Sequence, residues 1–266
     1  MSKFLAGRKP KIKSWKKFGK IVRSRGCHLL DRIDEFPDSV LISGCQRSGG
    51  TMLANVITHS EGMVNFAWSK DDELDAAQIL SGYKGHDIKG RHCFQTTFLN
   101  ECYTEYFSHN TEFKLIWLLR NPHSVVYSLL HNWSRFALNE LFSGCGFSLL
   151  PEQSMMRYQR YGYLGISRLE RACYSYNAKI LQASKIINIL GQENIMVVDY
   201  NDLVTRKHEL LPMIYSFINL PYQLSYADSI STRSLGKSDR LSKKEKKSTD
   251  ELCMPVYNDA LKLLSY

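Results

Sequence analysis

The sequence predicts an α/β fold with three layers, in which helices flank a central parallel β-sheet. Short apolar runs of strand length recur along the chain, and helical patterns follow them. A glycine-rich turn joins the first of these runs to its helix. Continuous apolar runs are typical of strands that a parallel sheet buries on both faces, whereas alternating runs are typical of half-exposed strands.

Three strands are predicted, and polar residues or glycine bound each of them. The first leads into the glycine-rich turn, and the second leads into the tripeptide Arg-Asn-Pro. The third ends at Asp199 and Tyr200. The predicted strands span residues 38–43, 113–119 and 195–198.

Helices are predicted between and after these strands from apolar periodicity and from start and stop signals. Pro122 lies near the start of one helix, Gly191 closes the strongest amphipathic helix, and Pro212 is expected in the first turn of a later one. The basic stretch 233–247 is expected to be a loop. The predicted helices cover approximately residues 51–59, 69–80, 98–107, 122–133, 176–190 and 210–217.

The net charge of +9 is concentrated near the N-terminus. Residues 1–30 contain ten Lys or Arg and no Asp or Glu, whereas the other 236 residues contain 25 basic and 26 acidic side chains. We therefore predict a basic N-terminal extension, residues 1–36, and one α/β domain, residues 37–266. The extension either lies on an anionic membrane or polyanion, or packs its apolar residues on the domain. These apolar residues are Ile12, Trp15, Phe18, Ile21 and Val22.

The cysteines and the apolar runs bear on location. The seven cysteines are scattered and form no C-x-x-C pair, so we expect neither a disulfide framework nor a zinc site. No apolar run approaches the roughly 20 residues that span a bilayer, and residues 1–30 lack the apolar core of a signal peptide. We expect a cytoplasmic protein, with peripheral contact at a membrane surface as the alternative that the tail leaves open.

The turn after the first strand reads SGCQRSGGT, residues 43–51. Gly44, Gly49 and Thr51 fit the phosphate-binding pattern G-x-x-x-x-G-K-[ST], but Gly50 occupies the position of the lysine. The turn therefore predicts a P-loop-like fold and an anion site that differs from the usual site for ATP.

Arg47 and Ser48 complete this site. Glycines let backbone N–H groups approach an anion, Ser48 and Thr51 add hydroxyl donors, and the start of the helix adds about half a positive charge. Arg47 supplies a full charge inside the turn. This set of donors suits an anion that needs less neutralising charge than ATP.

A second motif follows the second strand. Arg120 stands at the predicted strand end, and Ser128 comes eight residues later on the helix that begins near Pro122. A guanidinium and a hydroxyl placed in this way can bind a second, separate phosphate.

Together the two motifs resemble the sulfotransferases that use 3′-phosphoadenosine 5′-phosphosulfate (PAPS). RSGGT matches their [KR]-S-G-[TSG]-T, and RNPHSVVYS matches their strand-end R-[ND]-P with a serine eight residues on. The resemblance extends over about residues 38–240. It implies PAPS as co-substrate, no metal, a 5′-phosphosulfate at the first motif and a 3′-phosphate at the second.

Two weaker matches extend the nucleotide site. The family often places a tyrosine in Y-x-D-[LM] after the third strand, and DYNDL offers Tyr200. A basic C-terminal loop commonly completes the 3′-phosphate site, and TRSLGKSDR offers Arg233, Gly236 and Lys237.

The general base is less clear from the resemblance. Many members carry Lys-Thr-His or Lys-Thr-Pro where this chain has Gln-Thr-Thr, residues 95–97. Other members use a carboxylate about 20–25 residues beyond the loop, which favours Asp71, Asp72 or Glu73. The alternative bases are His86 and His92.

The resemblance implies in-line transfer of a sulfuryl group to an acceptor hydroxyl, with Arg47 stabilising charge on the leaving phosphate. The acceptor is a carbohydrate or a small alcohol or phenol, and the aromatic residues of 131–176 are as compatible with a core as with an acceptor site. Two other functions remain open: a P-loop kinase-like phosphotransferase, and a non-catalytic homologue that binds anions or membranes through its basic tail.

Overall fold

A four-stranded parallel sheet forms the centre of the protein, with the strand order β2-β1-β3-β4. The computed structural model describes residues 12–26, 28–65, 72–109, 112–232 and 235–266. In register, Val40 of β1 pairs with Cys93 of β2, and Leu115 of β3 pairs with Leu41 of β1 and Ile195 of β4. All four carboxyl ends therefore lie at one edge. The strands are β1, Ser39–Gly44; β2, Cys93–Gln95; β3, Phe113–Leu119; and β4, Ile195–Asp199.

Helices cover both faces of this sheet, so the three-layer α/β fold is confirmed. The helices of the described residues are α1, Trp15–Arg25; α2, Gly50–Thr58; α3, Asp72–Leu80; α4, Pro122–His131; α5, Arg135–Gly144; α6, Glu152–Tyr161; α7, Arg168–Leu190; α8, Tyr200–Thr205; α9, Lys207–Phe217; α10, Lys243–Leu252; and α11, Met254–Ala260.

Alternate residues of each strand enter two different cores. Leu115 and Trp117 of β3 pack among residues of α4 and α7, whereas Ile116 and Leu118 pack among residues of α2, α8 and α9. Because side chains alternate across a strand, the uninterrupted apolar run 113–119 supplies both layers at once.

Local signals explain the helix ends nearest the site. The Asn121 side chain accepts a hydrogen bond from the His123 backbone N–H, and Pro122 follows as the first residue of α4. Ser167 and Glu170 form a capping box at the start of α7, and Gly191 ends that helix.

Four predictions of local structure were wrong. β2 was missed because three residues carry too little periodicity, and the 98–107 helix reduces to a 3₁₀ helix at Tyr103–Phe107. Pro212 lies inside α9 rather than in its first turn, since α9 begins at Lys207. The basic stretch 233–247 contains the start of α10, because Ser242 and Glu245 form a capping box.

The N-terminal extension contributes to the same core as the sheet. Ile12 and Phe18 are buried, and Trp15 and Ile21 pack against that core. The Gln78 side-chain amide donates a hydrogen bond to the carbonyl of Ile12 (3.2 Å). The apolar side of α1 is therefore occupied by the domain; the side chain of Val22 lies outside the described part of the chain. The division at residues 36 and 37 remains a prediction.

One cysteine departs from expectation. Cys102 is disulfide-bonded, a bond that the scattered cysteines did not indicate, whereas the free cysteines of the described residues are all buried. Pairing depends on the distance between two Cα atoms in the fold, which the spacing of cysteines in the sequence does not reveal. The free cysteines are Cys45, Cys93, Cys145, Cys173 and Cys253. In the part of the chain that the structure describes, none of the helices has the length and apolar character to cross a bilayer.

Candidate active site

The glycine-rich turn runs from the end of β1 to the start of α2, at the carboxyl edge of the sheet. Gly44 and Gly49 have φ angles of +128° and +100°, which residues other than glycine rarely adopt. A Cβ at Gly44 would overlap the Leu118 carbonyl, and a Cβ at Gly49 would overlap the Tyr200 ring. Both glycines therefore let β3 and Tyr200 approach the turn closely.

Gly50 at the position of the usual lysine also has a local reason. A Cβ there would lie 3.2 Å from the side-chain nitrogen of Gln95, which is tighter than an ordinary contact. Gln95 in turn accepts a hydrogen bond from the Thr51 hydroxyl (2.9 Å). The small residue thus allows the end of β2 to pack against the first turn of α2.

Arg47 and Ser128 lie side by side. Arg47 has a positive φ of +74° and an exposed side chain, and its Nε donates a hydrogen bond to the Ser128 hydroxyl (2.9 Å). The sequence assigned these two residues to separate anion sites. The structure instead brings them together, so that one anion can contact both.

Arg120 faces the turn from the end of β3. Its guanidinium donates a hydrogen bond to the Arg47 carbonyl (3.0 Å) and lies 4.1 Å from the centre of the Tyr200 ring. Tyr176 donates a hydrogen bond from its hydroxyl to the Arg120 carbonyl (2.9 Å) and so fixes the backbone there. The two sequence motifs therefore form one site.

Burial gives Arg120 a strong electrostatic role. The residue is only 3% exposed, and the loss of hydration lowers the pKa of its guanidinium. The nearby Tyr200 opposes this shift but does not reverse it. Arginine keeps its charge in proteins despite such shifts. A dehydrated, planar cation at this place is well suited to a phosphate, which can accept two parallel hydrogen bonds from it.

The donors of the turn fit an anionic group. Ser48 is 1% exposed, and its hydroxyl has no hydrogen-bond partner among the described residues. The backbone N–H groups of Gly50 and Thr51, the first two residues of α2, have no acceptor within their own helix, whereas those of Met52 and Leu53 donate to the Gly49 carbonyl. A phosphate or sulfate oxygen would satisfy these donors.

Tyr200 is the tyrosine that the sequence offered for the nucleotide site. It is the first residue of α8, it is only 2% exposed, and its ring lies close to Gly49 and to the Arg120 guanidinium. The residue is therefore a core tyrosine whose ring also supports the anion site.

A carboxylate reaches the turn from the other side. Glu73 of α3 accepts hydrogen bonds from the Thr97 hydroxyl and, at 3.4 Å, from the Gln95 amide. Gln95 therefore links Thr51 of the loop to Glu73. Of the three acids predicted from sequence, Glu73 is tied to the loop, Asp72 accepts from the Glu73 backbone N–H (2.9 Å), and Asp71 lies outside the described residues.

The two alternative bases lie elsewhere. His92 precedes β2, so it stands at the amino edge of the sheet, opposite the loop. Its Nε2 lies 2.8 Å from Nε2 of His86, and both rings are buried against Phe36. These histidines do not reach the site.

Sequence reasoning missed a buried lysine beneath the turn that follows β2. Lys179 of α7 is fully buried, and its Nζ donates hydrogen bonds to the carbonyls of Thr97 (3.1 Å) and Leu99 (3.2 Å). Burial lowers the pKa of its ammonium group. The Gln46 amide also donates to the Thr97 carbonyl (2.7 Å), so two side chains hold the backbone that presents the Thr97 hydroxyl to Glu73. Lys179 carries no sequence signal, because it lies in the middle of an amphipathic helix.

The C-terminal loop is described in part. Gly236 has a φ of +75° and precedes a 3₁₀ turn, Lys237–Arg240, which packs against α4, the helix that carries Ser128. Arg233 and the side chain of Lys237 lie outside the described residues. Their predicted contact with the 3′-phosphate remains a prediction.

Solved structures resemble the whole fold. The sulfotransferase domain from the curacin biosynthetic pathway is 14% identical, with 87% of this chain and 98% of that chain covered and a TM-score of 0.51. A sulfotransferase from Alicyclobacillus acidocaldarius is 13% identical, with 86% and 97% covered and a TM-score of 0.51. Mouse sulfotransferase SULT7A1, complexed with PAP, is 16% identical, with 89% and 94% covered and a TM-score of 0.51. At these identities the likeness establishes the fold.

The family is established by sequence. A search of curated proteins finds no match. The family model described as "Sulfotransferase domain", however, matches residues 37–253, which include every motif residue discussed above. The chain therefore belongs to the sulfotransferase family.

Proposed function

We propose that this protein transfers the sulfuryl group of PAPS to the hydroxyl of an acceptor. The observation that carries the proposal is the hydrogen bond from Arg120 to the Arg47 carbonyl, which joins the strand-end motif to the glycine-rich turn. A structure of mouse SULT7A1 complexed with PAP, adenosine 3′,5′-bisphosphate, supports the nucleotide. PAPS supplies the sulfuryl group and leaves as PAP.

We assign the nucleotide to the turn and to the end of β3. The Ser48 hydroxyl and the backbone N–H groups of Gly50 and Thr51 are the donors for the 5′-phosphosulfate. Arg120 and Ser128 are the donors for the 3′-phosphate, supported by the burial of Arg120 and by its contact with the Tyr200 ring. Arg47 bonds to Ser128 and also belongs to the turn, so its cation can reach either anion.

We assign the general base to Glu73. Its carboxylate can accept the proton of the acceptor hydroxyl, and the hydrogen bonds from Thr97 and Gln95 fix its orientation. Gln95 and Thr97 thus occupy the register of the family's Lys-Thr-His or Lys-Thr-Pro and position a carboxylate there. Asp72 lies beside Glu73 and lines the same cavity.

A kinase-like reaction would need an acidic residue at a strand end to bind Mg²⁺, and the structure gives that residue another role. Asp199 is the acidic residue at the end of β4, and its carboxylate caps α8 and accepts a hydrogen bond from Tyr257 (2.7 Å). The carboxylate of Asp199 therefore has a structural role, because its oxygens already accept hydrogen bonds from the protein.

The location and the basic side of α1 remain predictions. The cytoplasmic location rests on the scattered cysteines, and the disulfide at Cys102 is more typical of oxidising compartments.

Exposed lysines of α1 support a second proposal, peripheral contact with an anionic membrane. Co-sedimentation with anionic vesicles at low and high salt tests it. These lysines are Lys16, Lys17 and Lys20 of α1, and the exposed Lys13 precedes the helix.

An assay that follows transfer of a radioactive sulfuryl group from PAPS tests the proposed function. Purified protein is incubated with PAPS that carries sulfur-35 and with acceptors of both classes, phenols and sugars. We expect a labelled sulfate ester from the wild-type protein and none from Arg47→Ala. Full turnover by Arg47→Ala would remove Arg47 from the assigned machinery, and the absence of any ester together with the absence of PAP binding would contradict the function itself.

A further inference from the structure

The middle of α7 carries a buried amino group, that of Lys179, below the turn that follows β2. The residue is fully buried, and its Nζ donates hydrogen bonds to the carbonyls of Thr97 (3.1 Å) and Leu99 (3.2 Å). The same atom lies 5.5 Å from the centre of the Trp117 ring. Carbonyl oxygens and the face of an aromatic ring both stabilise a cation, so the surroundings of Nζ favour its charged form.

Burial acts against that charge, since loss of hydration lowers the pKa of the ammonium group. The groups that raise this pKa are the thiols of Cys145 and Cys45 and the carboxylates of Glu73 and Glu101. Burial, however, raises the pKa of the Cys45 thiol and raises the pKa of the Cys145 thiol to about 12, so both thiols are neutral near pH 7. The two carboxylates are therefore the anions that the ammonium group attracts.

Thr97 connects this ammonium group with the proposed base. Its carbonyl accepts a hydrogen bond from Lys179, and its hydroxyl donates one to the Glu73 carboxylate. Gln95 stands two residues earlier, where many members of the family carry a lysine. Lys179 therefore brings a cation from α7 to a stretch of chain in which that lysine is replaced.

Glu73 needs a nearby cation because other carboxylates surround it. A cavity of about 920 Å³ opens beside the glycine-rich turn on the side where Glu73 lies, and five carboxylates and two cations of the described residues line it. Neighbouring negative charges favour the protonated form of a carboxyl group, which cannot act as a base. One of the five, Asp75, is paired with Lys84 (3.0 Å). The carboxylates are Asp72, Glu73, Asp75, Glu101 and Glu140, and the cations are Lys13 and Arg47.

We propose that Lys179 is a positioning residue whose positive charge keeps the Glu73 base ionised. This inference rests on the proposed function, since it concerns the residue to which the proton transfer is assigned. It differs from a purely structural role for Lys179. An uncharged donor could hold the turn after β2 equally well, but it could not favour the carboxylate of Glu73 over the carboxylic acid.

The test compares two donors to one carbonyl. Lys179→Met removes the charged donor to the Thr97 carbonyl, and Gln46→Met removes an uncharged donor to the same carbonyl (2.7 Å). Each substitution also removes one further hydrogen bond, from Lys179 to the Leu99 carbonyl or from Gln46 to the Asn100 side chain. The two variants are therefore matched in lost hydrogen bonds and differ in charge.

The measurement is a titration of the Glu73 carboxyl group by NMR. The full-length protein is labelled with carbon-13 at its glutamate carboxyl groups, and the signal of Glu73 is the one that Glu73→Gln removes. Neither PAPS nor an acceptor is added. Circular dichroism confirms that each variant is folded, and if Lys179→Met does not fold, Lys179→Gln replaces it as a second uncharged variant with the same expected result.

We expect Lys179→Met to raise the pH at the midpoint of the Glu73 titration by about one unit, because an opposite charge nearby shifts a carboxyl group by that order. Gln46→Met should leave this midpoint near its wild-type value. Lys179→Arg, which keeps the charge, should move it less than Lys179→Met does. In the sulfur-35 assay, the acid limb of the pH profile of kcat should move to higher pH in Lys179→Met and not in Gln46→Met.

Two results would overturn the inference: an unmoved midpoint in the folded, uncharged variant of Lys179, or an equal movement in Gln46→Met. The second result would show that the position of the turn, and not the charge, controls Glu73. Absence of sulfate transfer and of PAP binding in the wild-type protein would instead contradict the proposed function. The titration needs neither ligand, so the two failures are distinguishable.

Discussion

The two sides of the candidate site are built in different ways. The nucleotide side consists of two short motifs, the turn 43–51 and the stretch from Arg120 to Ser128, which adjacent parallel strands bring to one edge. The acceptor side is assembled from α1, α3, the turn after β2 and the start of α5. Backbone recognition of an anion demands glycines and donors at fixed spacing, whereas a cavity wall demands only shape and polarity. The comparison explains why one side has a sequence signature and the other has none.

The largest effect is expected on the acceptor side. Glu73→Gln keeps the size of the side chain and an oxygen that can accept from Thr97, but it removes the base. We expect kcat to fall about 10²–10⁴-fold, because proton transfer contributes an effect of that order. PAP affinity should not change, so single-turnover kinetics and PAP binding together separate the two sides. Asp72→Asn is the matched control, and a larger loss from it than from Glu73→Gln would move the base to Asp72.

A second prediction concerns the nucleotide side. Ser128→Ala removes a hydroxyl beside Arg47. We expect PAP to bind about 10- to 150-fold more weakly, since a hydrogen bond to a charged group contributes about 1.5–3 kcal/mol. Adenosine 5′-monophosphate, which lacks the 3′-phosphate, should lose little affinity. Equal losses for the two nucleotides, measured by competition, would exclude Ser128 from the 3′-phosphate site.

The sequence predicted that the glycine-rich turn and Arg120 stand at the ends of adjacent parallel strands, and their binding of a nucleotide stays a prediction. It did not predict that Arg47 contacts Ser128, because the φ of Arg47 and the distance between the turn and α4 are set by tertiary packing. On the acceptor side it could name three adjacent acids but not choose among them. Glu73 is distinguished by hydrogen bonds from Gln95 and Thr97, and these depend on β2, a strand too short to be predicted.

A third prediction tests the close packing behind the nucleotide side. Gly49→Ala combines a φ of +100° with overlap against the Tyr200 ring. We expect the free energy of unfolding to fall by about 3 kcal/mol or more, from strain and overpacking together. Gly236→Ala is the control, because its φ of +75° is also left-handed and the nearest atom lies 3.9 Å from the added Cβ. Its loss should be about 1–2 kcal/mol, from strain alone. Equal losses in the free energy of unfolding, measured with urea, would mean that the Tyr200 ring does not clash with a side chain at position 49.

The smallest effect is expected at the opposite edge of the sheet, which belongs to neither side of the site. Burial lowers the pKa of His86 and of His92 from the ordinary value of 6.5. The unfolded chain therefore binds protons more readily there, so stability is complete above about pH 6.5 and falls as the pH drops through the lower folded-state values. His92→Phe should reduce this pH dependence of unfolding while leaving kcat near the wild-type value. An unchanged pH dependence in the variant would assign the acid sensitivity to other groups.

The most direct test of the account is a calorimetric titration of PAP, with no metal added, into the wild-type protein and Arg120→Met. Arg120→Lys serves as a second variant that keeps the charge but loses the planar fork, and circular dichroism confirms that each variant is folded. We expect PAP to bind the wild-type protein, Arg120→Met to bind about 100-fold more weakly, and Arg120→Lys to fall between them. Equal PAP affinity in all three folded proteins, or no binding by the wild type, would contradict the claim that the turn and the end of β3 together hold one nucleotide.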